Sequence, residues 1–307
     1  MHNCDYILET KSLYKSYGKA KVLSDLNIKV PKGSIYGFVG KNGAGKTTLI
    51  RIICGLQYQD SGDLIISGIK NTDAEINNVR KKFGAIVETP SLQLNMTAKE
   101  NIRLQMDILG LKDNEKVDSL LEFVGLADTG KKVAANFSLG MRQRLAIAIA
   151  LCGDPEFIVL DEPINGLDPQ GIIDMRELLN KINKERNITI LISSHILDEL
   201  AKVATHYGFI AKGKIVAEMS AEELEESSRK YITLIVNKTN DINKAMEMFE
   251  NKYDVTDDGK IIVYGIISIT DLILSLHEYG IIVNELFTKE ESLEERFFAL
   301  LGGDDNA

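Results

Sequence analysis

The stretch Gly40-Lys41-Asn42-Gly43-Ala44-Gly45-Lys46-Thr47-Thr48 constrains this chain more than any other part of its sequence. It lies between the apolar run 34–39, which predicts a strand, and the run 49–53, which predicts a helix. Glycine followed after four residues by Gly-Lys-Thr is the phosphate-binding P-loop pattern. Glycines let consecutive backbone N–H groups turn inward around an anion, and a helix N-terminus adds about half a positive charge. The stretch therefore predicts a strand–loop–helix unit that binds a nucleoside triphosphate.

Two side chains of this stretch have predicted roles of their own. Lys46 supplies a point charge for the β and γ phosphates, and the hydroxyl of Thr47 can bind Mg²⁺. An accidental Gly-rich turn is the alternative. The apolar strand before the loop and the helix after it make that alternative the weaker one.

Charge is distributed unevenly along the 307 residues, which are 44% hydrophobic and 26% charged. Residues 221–307 contain 19 acidic against 8 basic residues, whereas the rest of the chain is nearly balanced. The length and this shift predict two domains, 1–220 and 221–307. The acidic balance also argues against nucleic acid as a partner of the tail.

Cysteine usage and hydropathy indicate a cytoplasmic chain. Cys4, Cys54 and Cys152 form no close-spaced pair, which fits reduced thiols better than a disulfide framework or a metal site. No apolar run approaches the roughly 18 residues needed to cross a bilayer, and the N-terminus lacks the features of a signal peptide. Any role at a membrane therefore requires a partner.

Acidic and imidazole side chains follow two further predicted strands. The apolar run 157–160 ends in Asp161 and Glu162, and the run 188–193 is followed closely by His195. Ligands of open α/β sheets bind beyond the carboxyl ends of the strands. Beside a P-loop we interpret Asp161 as a Mg²⁺ ligand, Glu162 as the residue that orients a water, and His195 as a γ-phosphate contact. A solvated strand end and a structural histidine are the alternatives.

Two other features precede the Asp161 strand. Tyr17 ends the predicted strand 6–17 and could stack on a purine base, although packing alone is the more common role of such a residue. The sequence Thr97-Ala98-Lys99-Glu100 fits a capping box, with threonine at the cap and glutamate three residues later. It opens a helical pattern that continues to Ala150, which predicts a helical subdomain at about 97–150.

These motifs together resemble those of the ATP-binding cassette (ABC) ATPases. The stretch 136–144, Asn-Phe-Ser-Leu-Gly-Met-Arg-Gln-Arg, resembles the family's signature motif, and Gly166-Leu167-Asp168 resembles its D-loop. With the P-loop, the strand ending in Asp161-Glu162 and His195, the motifs follow the family's order over about residues 6–218. The implied fold class is α/β, a P-loop ABC ATPase domain with a helical subdomain.

The resemblance also implies a pair of ATPase domains arranged head to tail. Each ATP would lie between the P-loop of one copy and the signature segment of the other. In that arrangement Tyr17 stacks on adenine, Glu162 polarises the attacking water, and His195 contacts the γ-phosphate. The second copy contributes Ser138, Gly140 and Met141 near the γ-phosphate, and Asp168 bridges the two halves.

The sequence departs from the family pattern at two places. Glu88 stands where the family has a glutamine that contacts Mg²⁺, and its carboxylate still offers an oxygen but adds a negative charge. Leu139 and Met141 replace Gly and Gln of the signature, whereas Ser138 and Gly140 are retained. These departures, with Glu88-Thr89-Pro90-Ser91 and the run 95–101, resemble the bacitracin-resistance and lantibiotic-immunity branch of ABC exporters.

The acidic tail has a pattern of its own. The predicted order is strand 231–236, helix 242–250, strand 253–256, strand 260–264, helix 269–278 and strand 281–287, with a turn at Asp257-Asp258-Gly259. This βαββαβ order predicts a small α+β, ferredoxin-like domain. A final helix carries Leu293, Phe297, Leu300 and Leu301 on one face. For this tail domain as a whole, regulation, self-association and docking are the roles that remain open.

The sequence therefore predicts a cytoplasmic subunit that hydrolyses ATP with Mg²⁺, pairs with a second copy, and drives separate integral membrane transporter subunits. Peripheral attachment to the inner face of the membrane follows from that partnership. One alternative is a soluble ABC-type ATPase of a translation or repair complex, against which the single cassette and the lack of sustained heptads weigh. Another is a nucleotide sensor that does not hydrolyse, against which Glu162 and His195 weigh.

Overall fold

In the computed structural model the described residues are 5–227, 230–256, 258–265 and 267–290. They form two compact units, with the division between Glu222 and Glu223.

The first unit contains two sheets and the helices that cover them. Its strands are β1 (Tyr6–Tyr17), β2 (Ala20–Pro31), β3 (Ile35–Val39), β4 (Ser61–Ile66), β5 (Ile69–Lys70), β6 (Phe83–Ile86), β7 (Phe157–Asp161), β8 (Thr189–Ser194), β9 (His206–Ala211) and β10 (Lys214–Ser220). Its helices are α1 (Lys46–Ile53), α2 (Ile76–Arg80), α3 (Ala98–Ile108), α4 (Asn114–Phe123), α5 (Leu139–Ala150), α6 (Pro169–Arg186) and α7 (Leu197–Leu200), and α8 (Ala221–Ser227) spans the division.

A six-stranded sheet in the order β10-β9-β3-β8-β7-β6 positions the site. Five neighbouring strands run parallel, and β10 is antiparallel to β9. Strands β3, β7 and β8 are buried along their whole length, which is why their sequences are continuous apolar runs. Because parallel strands end at the same edge, the residues that follow β3, β7 and β8 meet there.

The second sheet is antiparallel, in the order β2-β1-β4-β5. An apolar core joins it to β3 and to α1, and this core includes Leu8, Leu26, Phe38, Leu49 and Ile50. The P-loop helix is therefore held by one sheet at its start and packed against the other along its apolar face.

The residues between β6 and β7 are mainly helical, as predicted. The capping box at the start of α3 is confirmed: Thr97 Oγ1 accepts the N–H of Glu100 at 3.2 Å, and the Glu100 carboxylate accepts the N–H of Thr97 at 2.7 Å. Asp113 caps α4 and Ser138 caps α5, each by accepting one backbone N–H of the first turn. Side-chain caps supply acceptors for N–H groups that have no partner within the helix.

The second unit has the element order strand, helix, strand, strand, helix, strand. Its elements are β11 (Lys230–Val236), α9 (Ile242–Met246), β12 (Tyr253–Val255), β13 (Lys260–Tyr264), α10 (Ile269–Glu278) and β14 (Val283–Glu290). The antiparallel sheet has the order β12-β13-β11-β14, and its core includes Leu234, Val263, Leu272 and Leu276. Helix α9 ends four residues before its predicted end, and β14 begins two residues after its predicted start. The predicted final helix (Leu293, Phe297, Leu300, Leu301) and Asp257 lie outside the described residues.

Both described cysteines, the half-buried Cys54 and the buried Cys152, are protonated thiols. Loss of hydration raises the pKa of the Cys54 thiol to about 12 and that of Cys152 to about 11, against the opposing charges of Arg80 and Lys116. Neither is a reactive thiolate near neutral pH. Across the described part of the chain, no helix combines the length and the apolar character that spanning a bilayer requires.

Candidate active site

The P-loop connects β3 to α1 at the carboxyl edge of the large sheet. The N–H of Gly40 donates to the carbonyl of Ser194 at 3.2 Å, which fixes the start of the loop to the end of β8. A Cβ at position 40 would lie 2.6 Å from the carbonyl oxygen of Ile210, so only glycine fits there. Gly45, at φ 112, is similarly enclosed, since its Cβ would lie 2.7 Å from Leu23.

The middle of the loop is open. Lys41, Asn42 and Gly43 are exposed, and Gly43 adopts a φ of 81° with no atom within 4 Å of a Cβ placed there. The N–H of Ala44 donates to the carbonyl of Lys41 at 3.1 Å, which closes the turn. The exposed backbone next to a helix N-terminus is the arrangement that binds phosphate.

Lys46 points into the loop. It is 6% exposed, and its Nζ donates to the carbonyl of Gly40 at 2.6 Å. The same Nζ lies 3.1 Å from Glu162 Oε1. Thr47 and Thr48 follow in the first turn of α1 and are half-buried. A buried ammonium is thus directed at the space that the exposed loop surrounds.

Asp161 is the last residue of β7, and its side chain is 2% exposed. Its Oδ1 accepts a hydrogen bond from Ser193 Oγ at 2.5 Å. Ser193 Oγ in turn accepts the N–H of Glu162 at 2.9 Å. This chain of bonds joins the ends of the two adjacent strands.

Glu162 lies between two basic groups. Its Oε1 faces Lys46, and its Oε2 lies 2.8 Å from Nδ1 of His195. Its φ of 50° is in the left-handed region, a conformation that costs a residue with a side chain about 1–3 kcal/mol. Such strain at a strand end is typical of functional positions. The structure therefore brings the predicted lysine, glutamate and histidine together in one cluster.

The residues present fit a Mg²⁺ ion that binds together with a substrate. Asp161 offers a buried carboxylate in which Oδ1 is bonded to Ser193, and its other oxygen is left to bind a metal ion. The Thr47 hydroxyl lies at the start of α1. Within the described ranges no group of three or more His, Cys, Asp or Glu side chains could hold a metal by itself. Mg²⁺ is commonly bound in this manner, through one or two protein oxygens plus phosphates and water.

Glu88 and Tyr17 have partners that the sequence does not predict. Glu88 lies two residues past the end of β6 at a φ of 63°, and its carboxylate forms an ion pair with Arg51 of the P-loop helix. Tyr17 is 47% exposed at the end of β1, and its hydroxyl donates to Gln57 at 2.6 Å. Ligation of Mg²⁺ by Glu88 and stacking of adenine on Tyr17 stay predictions.

A second group of predicted residues lies together elsewhere in the first unit. Ser138 and Gly140 at the start of α5, with Asp168 before α6, line a groove of about 160 Å³. Ser138 Oγ accepts the N–H of Met141 at 3.3 Å, and Asp168 Oδ1 accepts the N–H of Gly171 at 3.1 Å. Both side chains therefore cap helices whose N-termini open at the groove.

Leu139 lies against the turn that leads to Asp168. Its Cδ2 lies 3.3 Å from the position that a Cβ on Gly166 would occupy, so the two segments are in close contact. The leucine that departs from the family's glycine thus packs the signature segment against the turn that leads to Asp168. It remains 43% exposed.

None of the residues that line the groove belongs to the P-loop or to the cluster of Lys46, Glu162 and His195. In the described ranges, no hydrogen bond or ion pair joins Ser138, Met141 or Asp168 to Lys46 or Glu162. The residues that sequence reasoning missed are Ser193, Arg51 and Gln57. Only Ser193 had a signal, its place in Ser-Ser-His at the end of an apolar strand.

Comparison with known proteins identifies the relatives of this chain. The family model of the ABC transporter matches residues 23–165. The chain is 43% identical to the bacitracin transport ATP-binding protein BcrA of Bacillus licheniformis over 97% of this chain and 98% of that protein. It is 41% identical to the lantibiotic transport ATP-binding protein SrtF of Streptococcus pyogenes, over 72% of this chain and 95% of that protein.

A solved structure agrees with this assignment. The dimeric ATP-binding cassette MJ0796, in a post-hydrolysis state bound to ADP and Pi, has a TM-score of 0.63 at 25% identity. The match covers 70% of this chain and 98% of that one. Both relatives are named as transport proteins, which favours a transporter subunit over the non-transport alternative. This chain belongs to the ABC transporter family and is one of its ATP-binding, ATP-hydrolysing subunits.

Proposed function

We propose that this subunit hydrolyses ATP with the cluster of Lys46, Glu162 and His195. The observation that carries the proposal is the position of the Glu162 carboxylate between Lys46 Nζ and His195 Nδ1. The P-loop N–H groups and Lys46 bind the β and γ phosphates. Glu162 accepts a hydrogen bond from the attacking water, and His195 orients Glu162 and contacts the γ-phosphate. The water oxygen bonds to the γ-phosphorus as the bond to the β,γ-bridging oxygen breaks, and the water gives up a proton to the Glu162 carboxylate, which yields ADP and phosphate.

Thr47 and Asp161 would hold Mg²⁺, with Glu88 as a further ligand, since its ion pair with Arg51 is formed through Oε1 and the carboxylate has a second oxygen. When bound there, the ion would neutralise charge on the phosphate oxygens. Ser193 donates a hydrogen bond to one oxygen of Asp161, so the other oxygen is the one available to bind Mg²⁺. Tyr17 would support the adenine ring by stacking.

The second half of the site comes from another copy of the chain. The groove of Ser138, Gly140 and Asp168 opens at two helix N-termini, which favour an anion. Because the groove is separate from Lys46 in one chain, a head-to-tail homodimer would bring the two together around ATP. The dimeric MJ0796 cassette supports this arrangement.

Mixing two inactive variants tests the shared site. Lys46→Ala destroys the P-loop half and Ser138→Phe blocks the groove, so neither homodimer should hydrolyse ATP. A mixed dimer contains one intact site, and random pairing should restore up to about a quarter of the wild-type rate. The measurement is phosphate release after the two proteins are incubated together.

The matched control pairs two defects in the same half-site. A mixture of Lys46→Ala and Glu162→Gln leaves every site with a defective P-loop half, so its rate should stay at background. Equal rates from both mixtures, or no recovery in the first, would contradict a site shared between copies.

The transport function also follows from the relatives. BcrA and SrtF are named as transport proteins for bacitracin and a lantibiotic, and both are similar to this chain. We propose that the subunit drives separate integral membrane subunits that export a peptide antibiotic. Attachment to those subunits would hold it at the cytoplasmic face of the membrane.

Deletion of the gene for this chain from its host should lower the minimum inhibitory concentration of bacitracin severalfold, because export stops without ATP hydrolysis. The wild-type chain should restore resistance, and Glu162→Gln should not. Sensitivity to an antibiotic that acts inside the cell serves as the control. If neither bacitracin nor a lantibiotic changes its inhibitory concentration, the proposed cargo class is wrong.

For the chain as a whole we propose an ATPase domain at 1–220, with a helical subdomain at 97–150, and an accessory domain at 221–307. The strand order of the second unit, with β11 and β13 central and β14 and β12 at the edges, supports a ferredoxin-like fold. Its acidic sequence argues against nucleic acid as a partner.

A further inference from the structure

Ser193 is a buried hydroxyl that joins two strand ends at the active site. Its side chain, at the end of β8, is 0% exposed. The Oγ donates to Asp161 Oδ1 at 2.5 Å and accepts the N–H of Glu162 at 2.9 Å. One side chain thus contacts the proposed Mg²⁺ ligand and the backbone of the proposed water-orienting residue.

The orientation of this hydroxyl is determined by its two partners. A serine hydroxyl has a single proton and two lone pairs. Since a carboxylate can only accept and a backbone N–H can only donate, the proton must point at Asp161 and a lone pair at Glu162. The arrangement therefore has one direction, and an apolar side chain at this position removes both bonds at once.

The backbone of Glu162 needs such a partner. Its φ of 50° is unfavourable for a residue with a side chain, and it directs the carboxylate between Lys46 and His195. Without Ser193 Oγ the N–H of Glu162 loses its acceptor. An unpaired N–H in a partly buried setting favours any conformation that regains a partner, so the carboxylate would shift.

The geometry points to Ser193 as a positioning residue for ATP hydrolysis, which acts by holding the Glu162 backbone in its left-handed conformation. This inference rests on the role proposed for Glu162. In the proposed mechanism Ser193 touches neither the attacking water nor the nucleotide. Its loss therefore reduces the rate of the chemical step and leaves the P-loop contacts to ATP in place.

The test measures kcat and KM for ATP in Ser193→Ala, and in Ser193→Cys, which fills the site with a much weaker hydrogen-bonding group. We expect kcat to fall about 10- to 100-fold, as displaced catalytic groups do, with KM within about threefold of wild type. Ser193→Thr retains the hydroxyl on a strand-compatible side chain and should recover most of the activity.

The decisive comparison repeats the substitution in Glu162→Gln. If Ser193 acts through Glu162, Ser193→Ala should lower the residual single-turnover rate of that variant by less than about threefold. The same fold-loss in both backgrounds would overturn the inference, and so would a folded Ser193→Ala or Ser193→Cys with a wild-type kcat. Failure of the proposed function looks different, since Glu162→Gln alone would then hydrolyse ATP normally.

Thr10→Val is the matched control for loss of a buried hydroxyl. Thr10 is 3% exposed in β1, and its Oγ1 donates to the carbonyl of Leu26 at 2.9 Å and accepts the N–H of Ile28 at 3.1 Å. The variant removes an equivalent bridge from the other sheet. It should lower the melting temperature as Ser193→Ala does, but kcat should stay within about twofold of wild type. A comparable loss of kcat in Thr10→Val would show that removing any such buried hydroxyl lowers the rate, and Ser193 would then have only a structural role.

Discussion

Glu162→Gln should reduce steady-state ATP hydrolysis by about 10²- to 10⁴-fold, the range expected when a general base is removed. The amide has the same shape but cannot accept the proton of the attacking water. Binding of ATP should be retained or strengthened, because the Glu162 carboxylate competes with phosphate for Lys46 Nζ, 3.1 Å away. ATP should therefore accumulate in a closed dimer, measured by size-exclusion chromatography with bound-nucleotide analysis.

Glu156→Gln is a suitable control for that experiment. Glu156 lies directly before β7, is exposed, and pairs with Lys82 at the surface. Its substitution should leave hydrolysis and the oligomeric state unchanged. Normal hydrolysis by Glu162→Gln, or loss of ATP binding in it, would remove Glu162 from the role proposed here.

Lys46→Ala should weaken ATP binding by about 10- to 100-fold, since hydrogen bonds to a charged group contribute about 1.5–3 kcal/mol each. The loss has two parts. The ammonium no longer contacts the phosphates, and the Glu162 carboxylate is left facing them without a neutralising cation. Titration with a fluorescent ATP analogue measures the affinity.

The second part of the loss can be separated from the first. Lys46→Ala combined with Glu162→Gln removes the uncompensated negative charge, so it should bind ATP more tightly than Lys46→Ala alone. Lys82→Ala, which removes an exposed lysine paired with Glu156, should bind ATP normally. Wild-type affinity in Lys46→Ala would place this lysine outside the nucleotide site.

Features that depend on local sequence were predictable. The P-loop, the capping box at Thr97 and the apolar strands β3, β7 and β8 are each specified by residues within a few positions of one another. The hairpin β9–β10 carried no such signal. Its turn residues Lys212 and Gly213 have φ values of 48° and 77°, a type I′ geometry that asparagine-glycine commonly marks, and lysine at the first position conceals it.

Partners separated along the chain were not predictable from the sequence. The pairing of Glu88 with Arg51 depends on how the segment after β6 crosses the P-loop helix, and no pattern in either segment encodes it. The same holds for Tyr17 and Gln57, which meet only because β1 ends beside the residues after α1. Side-chain contacts of this kind are set by packing between elements.

The sequence by itself determined the chemistry of this protein: the residue types of the P-loop, the acids after β7, the histidine after β8 and the signature segment, in the order of one family. The tertiary structure alone decided their geometry. It aligned the carboxyl ends of β3, β7 and β8, which brought Lys46, Glu162 and His195 into contact, and it placed Ser193 between Asp161 and Glu162. The physical reason is that identity and spacing are local, whereas distances between atoms far apart in the chain depend on strand order and core packing.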